Sequence, residues 1–341
     1  MPQCKDLTNQ LHINVDGEYK PCCAYSGDTG YKVANTDHKD FLSSPLMQTI
    51  KQEMEQGWHD GCLGCKHAEE SGQMSARNAF NMWCKQQPGV LEYLDISLSN
   101  QCNLACRMCN EISSSRWEKL LDCKTAPKNN LDSIIKDLDL NLLNHIKYQG
   151  GEPFITPEII DVLKLVASQK TFFTFSTNLT LYPKKYESLL MQAKGIYANF
   201  SLDGYKHVNN YIRSCAWDTI DSNLDRWLKF FKKYNIKGMQ NVSTVVQALN
   251  FHDLQNIKNY VNGKNIIWIA QEIVDPDYMS INALPESYIE QVIDDVNSKF
   301  LHSYKFDQQL FKDFKQNILA QDKLLGTTLQ TVNPLLYSYL E

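Results

Sequence analysis

"LEYLDISLSNQCNLACRMC", residues 91–109, joins a β-rich apolar run to three cysteines, Cys102, Cys106 and Cys109, spaced C-x3-C-x2-C. The run reads as a strand and the cysteines as the loop that leaves it. The same alternation continues downstream, where "HIKYQ" (145–149), "TFFTFST" (171–177), "IYANFSL" (196–202), "QNVSTVV" (240–246) and "IIWIAQEIV" (266–274) read as five further strands. Helical patterns fall between them, near 110–122, 157–168, 184–194, 217–234 and 253–261, with "TPEII" offering Thr156 as an N-cap and Pro157 at the first helical position. Six β-α units predict an α/β fold with a parallel sheet and right-handed crossovers, a partial (β/α)6 TIM-like barrel over 91–275. In such barrels the loops that follow strands carry the chemistry, so the three-cysteine loop is the first candidate site.

The rest of the chain limits what that site can serve. With 341 residues, 43% of them hydrophobic, the chain can bury a sizeable core. Thirty-four Lys and Arg against 39 Asp and Glu give a formal net charge of -5, which disfavours a polyanionic partner such as nucleic acid. The opening "MPQCKDLTNQLHINVDGEYK" has no continuous apolar run, and "IIWIA" is far short of a membrane span, so the expectation is a cytoplasmic protein without a membrane partner. Eleven cysteines in such a chain point to metal or redox chemistry rather than to disulfides.

Three segments are expected. Residues 1–88 are rich in Cys, Gly and turn formers, with short helical patterns near 45–55 and 75–85, and end at the "QQPGV" break (86–90). They read as a small metal-stapled domain. Residues 91–275 form the barrel, and 283–341 a C-terminal helical extension that covers it.

Three thiolates can hold three irons of a [4Fe-4S] cube and leave the fourth open, whereas an electron-transfer cluster takes four protein ligands. On the Cys102, Cys106 and Cys109 loop the chain resembles the radical S-adenosylmethionine (radical SAM) superfamily. The resemblance implies that S-adenosylmethionine chelates the open iron and that its reductive cleavage gives a 5′-deoxyadenosyl radical, which takes a hydrogen atom from substrate. A low-potential donor such as flavodoxin or ferredoxin is the implied reducing partner. A zinc site or buried free thiols are the bland alternatives.

Further motifs extend the resemblance. Gly150, Gly151, Glu152 and Pro153 of "YQGGEP" match the segment that holds the methionine amino group. Ser201 and Arg213, in "FSLDG" and "NNYIRSCAW", resemble the S-x-D-G…R pattern of the peptide-modifying branch, where they hold the methionine carboxylate. Asn178, ending "STN", is placed to contact the ribose. Met108 stands where the family usually has an aromatic residue near the adenine, a departure that a soft thioether can fill.

Cys4, Gly17 and Cys22 fit C-x12-G-x4-C, and Cys62 with Cys65 give C-x2-C. This resembles the opening of the SPASM auxiliary-cluster domain, although here it precedes the barrel, and the two later cysteine positions are Ser71 and Ser75. Four thiols suit the shortened twitch form, as in phage-type twitch-domain radical SAM proteins, and imply a second, auxiliary [4Fe-4S] cluster serving as electron conduit or structural staple. A zinc knuckle of Cys62, Cys65 and His59 or His67 is the rival. Cys84, Cys123 and Cys215 are expected to be buried apolar residues, with Cys84 a possible substitute ligand.

The expected function is therefore that of a radical SAM enzyme, of oxidoreductase or transferase type, acting on a peptide or protein side chain. The alternatives are a nucleoside or RNA substrate, a small-molecule substrate such as a sugar or cyclitol alcohol, or a non-enzymatic two-cluster electron carrier. The sequence assigns no catalytic acid or base.

Overall fold

The computed structural model describes residues 4–70, 72, 74–84, 88–124 and 129–341, the side chain of Trp83 excepted. Ser71 and part of the 86–90 break lie outside the described residues. All six expected strands form: β3 (Tyr93–Ser97), β4 (His145–Gln149), β5 (Phe172–Thr177), β6 (Gly195–Ser201), β7 (Gln240–Val246) and β8 (Ile267–Glu272), each parallel to the next. Two more strands precede them in the chain, β1 (Gln10–Ile13) and β2 (Tyr19–Lys20), and the sheet order is β2-β1-β3-β4-β5-β6-β7-β8.

The placement of β1 was not anticipated. It pairs in parallel with β3, Leu11 opposite Leu94 and Ile13 opposite Ile96, so the N-terminal segment extends the sheet instead of standing beside it. The reason is local: Leu11 and Ile13 alternate with Gln10 and His12 in phase with the apolar positions of β3. Buried apolar side chains from Leu7 to Leu340 accordingly join in one contiguous core.

Strand alternation gives the sheet two unlike faces. Leu94, Ile96, Ile146, Phe173, Phe175, Ile196, Ala198, Phe200 and Val242 are fully buried, as expected for the face that the helices cover. The other, inner face carries His12, Asp95, Lys147 and Gln149 and, toward the strand starts, a row of rings in which His145 stacks on Tyr93 at 4.4 Å and on Tyr197 at 5.6 Å. The helix Trp217–Tyr234 shows how the covering works. Trp217, Ile220, Leu224, Trp227 and Phe231 recur at helical spacing, and Trp227 meets Phe175 at 5.2 Å and Phe200 at 6.2 Å. Truncating a buried Trp of this kind costs about 3–5 kcal/mol. Asn235 in the left-handed region (φ 49°) ends the helix, its N–H bonding the carbonyls of Lys232 and Phe231.

Thr156 does not cap the helix that follows it. The helix Ile159–Gln169 starts later, and the Thr156 hydroxyl donates to the Pro153 carbonyl (2.8 Å) and meets Tyr148 Oη (2.8 Å), bracing the turn after β4. In the tail, the helices Glu286–Val292, Gln308–Leu325 and Pro334–Ser338 fall inside the expected helical extension. Among the described residues no helix is long and apolar enough to cross a membrane.

Candidate functional site

The three-cysteine loop leaves the C-terminal end of β3, and side chains hold five of its carbonyls. Ser115 Oγ donates to Cys102 O (3.2 Å), Ser114 Oγ to Leu104 O (2.6 Å), Ser214 Oγ to Ala105 O (3.2 Å), Trp117 Nε1 to Cys106 O (2.9 Å) and Gln321 Nε2 to Arg107 O (3.0 Å). Ser114 also N-caps the helix Ser115–Leu121, accepting from the Arg116 N–H. The run "SSSRW" (113–117) therefore both starts a helix and ties the loop down.

The thiols lie among few charges. Burial pushes Cys102 up to about 11. Cys106 and Cys109 share a hydrogen bond that raises the first and lowers the second; burial raises both, and the Arg213 guanidinium favours the thiolate of each. Arg213 pairs with the buried carboxylate of Asp203, whose Oδ1 accepts the Val245 N–H (2.8 Å), while Arg213 Nε is buried with no hydrogen-bond partner.

Gly150 and Gly151 adopt φ of 86° and 53°, and they press on the start of the loop: a Cβ on Gly151 would stand 2.1 Å from Gln101 O. The Glu152 N–H donates to that same carbonyl at 2.8 Å. The two glycines thus permit close approach to the loop backbone. Glu152 is buried. One of its oxygens accepts from Thr177 Oγ1 (2.8 Å) and the Phe154 N–H (3.3 Å), and the other from the Asn178 N–H (2.7 Å). Burial pushes its carboxyl up to about 7. Pro153 opens the short turn Pro153–Ile155. Asn178 Nδ2 reaches Asn103 Oδ1 (3.0 Å) and Cys102 Sγ (3.9 Å), and its Oδ1 accepts from Thr180. Ser201 ends β6 on the inner face, opposite Ser243, and Met108 packs half-buried against the core.

A second group forms in the N-terminal segment. Cys4, Cys22, Cys62 and Cys65 line one small cavity together with Asp6, Tyr25, Trp58 and Arg77. Neither imidazole of the zinc alternative lines it. His59 Nδ1 accepts the Gly61 N–H (2.9 Å), and His67 is exposed. Burial holds Cys4 and Cys22 above the ordinary thiol range and Cys62 at about 11. Asp6, also in the cavity, is buried with its Oδ1 unpartnered. Ser75, at a later SPASM cysteine position, instead caps the helix Ala76–Trp83 through the Asn78 N–H (3.0 Å). Cys84 is buried as expected but lies in another cavity, its Sγ 2.8 Å from Glu92 Oε1, whereas Cys123 and Cys215 are only half-buried.

Among the described residues no group of three or more His, Cys, Asp or Glu side chains converges tightly enough to hold a single metal ion. Zinc needs its ligands gathered around one centre, whereas a cube takes each thiolate on a separate iron.

Several residues of the site were not foreseen. Asp203 was quoted in "SLDG" without a role. Asp95 on β3 binds Lys147 (3.0 Å) and Gln149 (2.6 Å), with His12 Nδ1 at 3.2 Å, on the inner face; although burial raises its carboxyl, Lys147 and His12 hold it below the usual range. The available signal was an acid and a base at same-face positions of neighbouring strands. Lys147 Nζ also donates to Cys23 Sγ at 3.3 Å.

No curated protein sequence matches the chain. The solved structure of anSMEcpe with bound AdoMet and Cp18Cys peptide is 20% identical over 66% of this chain and 60% of that one, with a TM-score of 0.42. Streptococcus suis SuiB bound to S-adenosylmethionine is 13% identical over 85% of this chain and 59% of its own, at TM-score 0.44, and SuiB bound to precursor peptide SuiA is 15% identical at 0.41. The chain spans about three fifths of the length of these structures. Residues 96–260, from within β3 through the cysteine loop and on into the helix Leu254–Lys264, match the family described as the Radical SAM superfamily.

Proposed function

We propose that this chain is a radical SAM enzyme that uses Cys102, Cys106 and Cys109 to hold a [4Fe-4S] cluster and modifies a peptide or protein side chain. One observation carries the reading: three thiols, with no fourth beside them on the loop, leave the C-terminal end of β3 next to Gly150, Gly151, Glu152 and Arg213. The donor set fits the cluster: three thiols stand on one short loop, and the Arg213 guanidinium favours the thiolates of Cys106 and Cys109. A cluster held by Cys102, Cys106 and Cys109 would supply the one-electron reduction that radical chemistry on S-adenosylmethionine needs.

The chain's own residues do the holding. Glu152 faces the cofactor ammonium, and Arg213 with Ser201 faces its carboxylate, a guanidinium being suited to bidentate binding. Asp203 orients Arg213. Asn178 and Met108 flank the ribose and the adenine. Cys4, Cys22, Cys62 and Cys65 hold an auxiliary [4Fe-4S] cluster, a reading supported by their shared cavity and by the absence of His59 and His67 from its lining. Residues 1–88 act as the twitch-like unit and 283–341 as the helical extension of a cytoplasmic enzyme reduced by flavodoxin or ferredoxin.

The peptide substrate is supported by the Ser201-Leu202-Asp203-Gly204 and Arg213 pattern, which resembles that of the peptide-modifying branch. The test is anaerobic incubation of the reconstituted, reduced enzyme with S-adenosylmethionine and peptide or nucleoside pools in deuterated water. Mass change in a peptide supports the reading; change confined to nucleosides contradicts it.

A further inference from the structure

We propose that the C-terminal helix Gln308–Leu325 is a positioning element of the cysteine loop, and that Asp322 acts through Arg107 to set the spacing of Cys106 and Cys109. This rests on the reading that the loop holds a cluster.

Arg107 immediately follows Cys106 in the loop, yet its side chain is wholly buried. Its Nε donates to Tyr211 O (3.0 Å), one terminal nitrogen donates to Asp322 Oδ1 (2.6 Å) and Thr327 Oγ1 (2.6 Å), and the other lies 3.4 Å from Gln321 Oε1. The guanidinium also stacks 3.7 Å from the centre of the Tyr211 ring. Asp322 is itself saturated, accepting from Tyr211 Oη (2.9 Å), Thr327 Oγ1 (3.1 Å) and the Leu329 N–H (2.8 Å).

Two neighbours on one helical turn thus grip both ends of one loop residue. Asp322 takes the side chain of Arg107, and Gln321 donates to its carbonyl at 3.0 Å. The Arg107 N–H is held as well, by Ile212 O at 2.9 Å, directly before Arg213. A buried guanidinium needs its acid, so the tail helix and the loop hold one another in a single arrangement. Apolar packing of Phe314 and Ile318 would suffice for a merely covering helix. The charged knot goes beyond that, because it ends on Arg107, one of the two residues between Cys106 and Cys109.

The test uses the full chain, reconstituted anaerobically, as wild type, Asp322→Asn, Asp322→Ala and Tyr288→Phe. The last removes a hydrogen bond to Asn333 in the same C-terminal region, away from the loop. Iron loss to a chelator is timed for each protein at the same interval below its own melting temperature, and the reduced cluster's paramagnetic resonance spectrum is recorded with S-adenosylmethionine. Asp322→Ala is expected to release loop iron about ten- to hundredfold faster than wild type, with an altered spectrum, because partners behind metal ligands carry effects of that size. Asp322→Asn should fall between the two, and Tyr288→Phe should match wild type. Release and spectra in Asp322→Ala equal to wild type, with only a lower melting temperature, would overturn the inference. If wild type and a Cys102, Cys106, Cys109 triple Ala variant carry the same iron, the proposed function fails instead.

Discussion

Glu152 gives the account its most quantitative exposure. Its carboxyl is raised from 4.5 to about 7 chiefly by burial, against the lowering pull of the Asn178 N–H, Thr177 and Phe154 N–H bonds. A carboxyl raised in this way stabilises the fold fully only below its unfolded value of 4.5, and that contribution is lost as the pH rises through about 7. At about 1.4 kcal/mol per pH unit the loss is about 3 kcal/mol between the two limits. Glu152→Gln removes the titration and keeps the shape, leaving a pH-independent penalty of about 1–3 kcal/mol for donors that lose an acceptor. The assay is denaturant unfolding of both reconstituted proteins without S-adenosylmethionine from pH 4.5 to 8. The stability difference between wild type and variant should shift by about 3 kcal/mol over that range, to the wild type's disadvantage at high pH. Parallel profiles would refute the placement of a desolvated carboxylate. Binding of an ammonium at Glu152 favours its charged form, so S-adenosylmethionine affinity should fall about tenfold for each pH unit below 7 in wild type and show no such dependence in the variant.

Gly151→Ala places a Cβ 2.1 Å from Gln101 O at φ 53°, so the loop start must move; the variant should lose loop iron on gel filtration while keeping the auxiliary iron. Retention of all iron would show that the close approach is dispensable. Cys22 lines the thiol cavity, whereas Cys23 contacts Lys147 on the inner face, so Cys22→Ser should lose the auxiliary iron and much of the soluble yield while Cys23→Ser keeps both. The reverse pattern in iron assays would move the ligand by one residue.

Much of this was legible in the sequence because the signals were local. "TFFTFST" and its neighbours carry β-branched and aromatic runs that can only be strands between long amphipathic helices, and every one of the six formed. The cysteine loop was legible because C-x3-C-x2-C lies within eight residues. "QLHI" was not, since four alternating residues in a turn-rich segment become a strand only when β3 offers a partner in phase. Arg107 and Asp322 are separated by 215 residues, and a single Arg in a loop gives no sign of the acid that buries it. Thr156 read as a cap from its neighbour Pro157, but the Pro153 carbonyl and the Tyr148 hydroxyl draw it inward.

Radical chemistry at the three-cysteine loop is read from the yield of 5′-deoxyadenosine when anaerobically reconstituted protein is reduced in the presence of S-adenosylmethionine. Wild type is expected to give methionine and 5′-deoxyadenosine in equal amounts, and the Cys102, Cys106, Cys109 triple Ala variant neither, while keeping the iron proposed for its N-terminal cysteines. Absence of 5′-deoxyadenosine from fully loaded, reduced wild type, or its formation by the triple variant, would contradict the account.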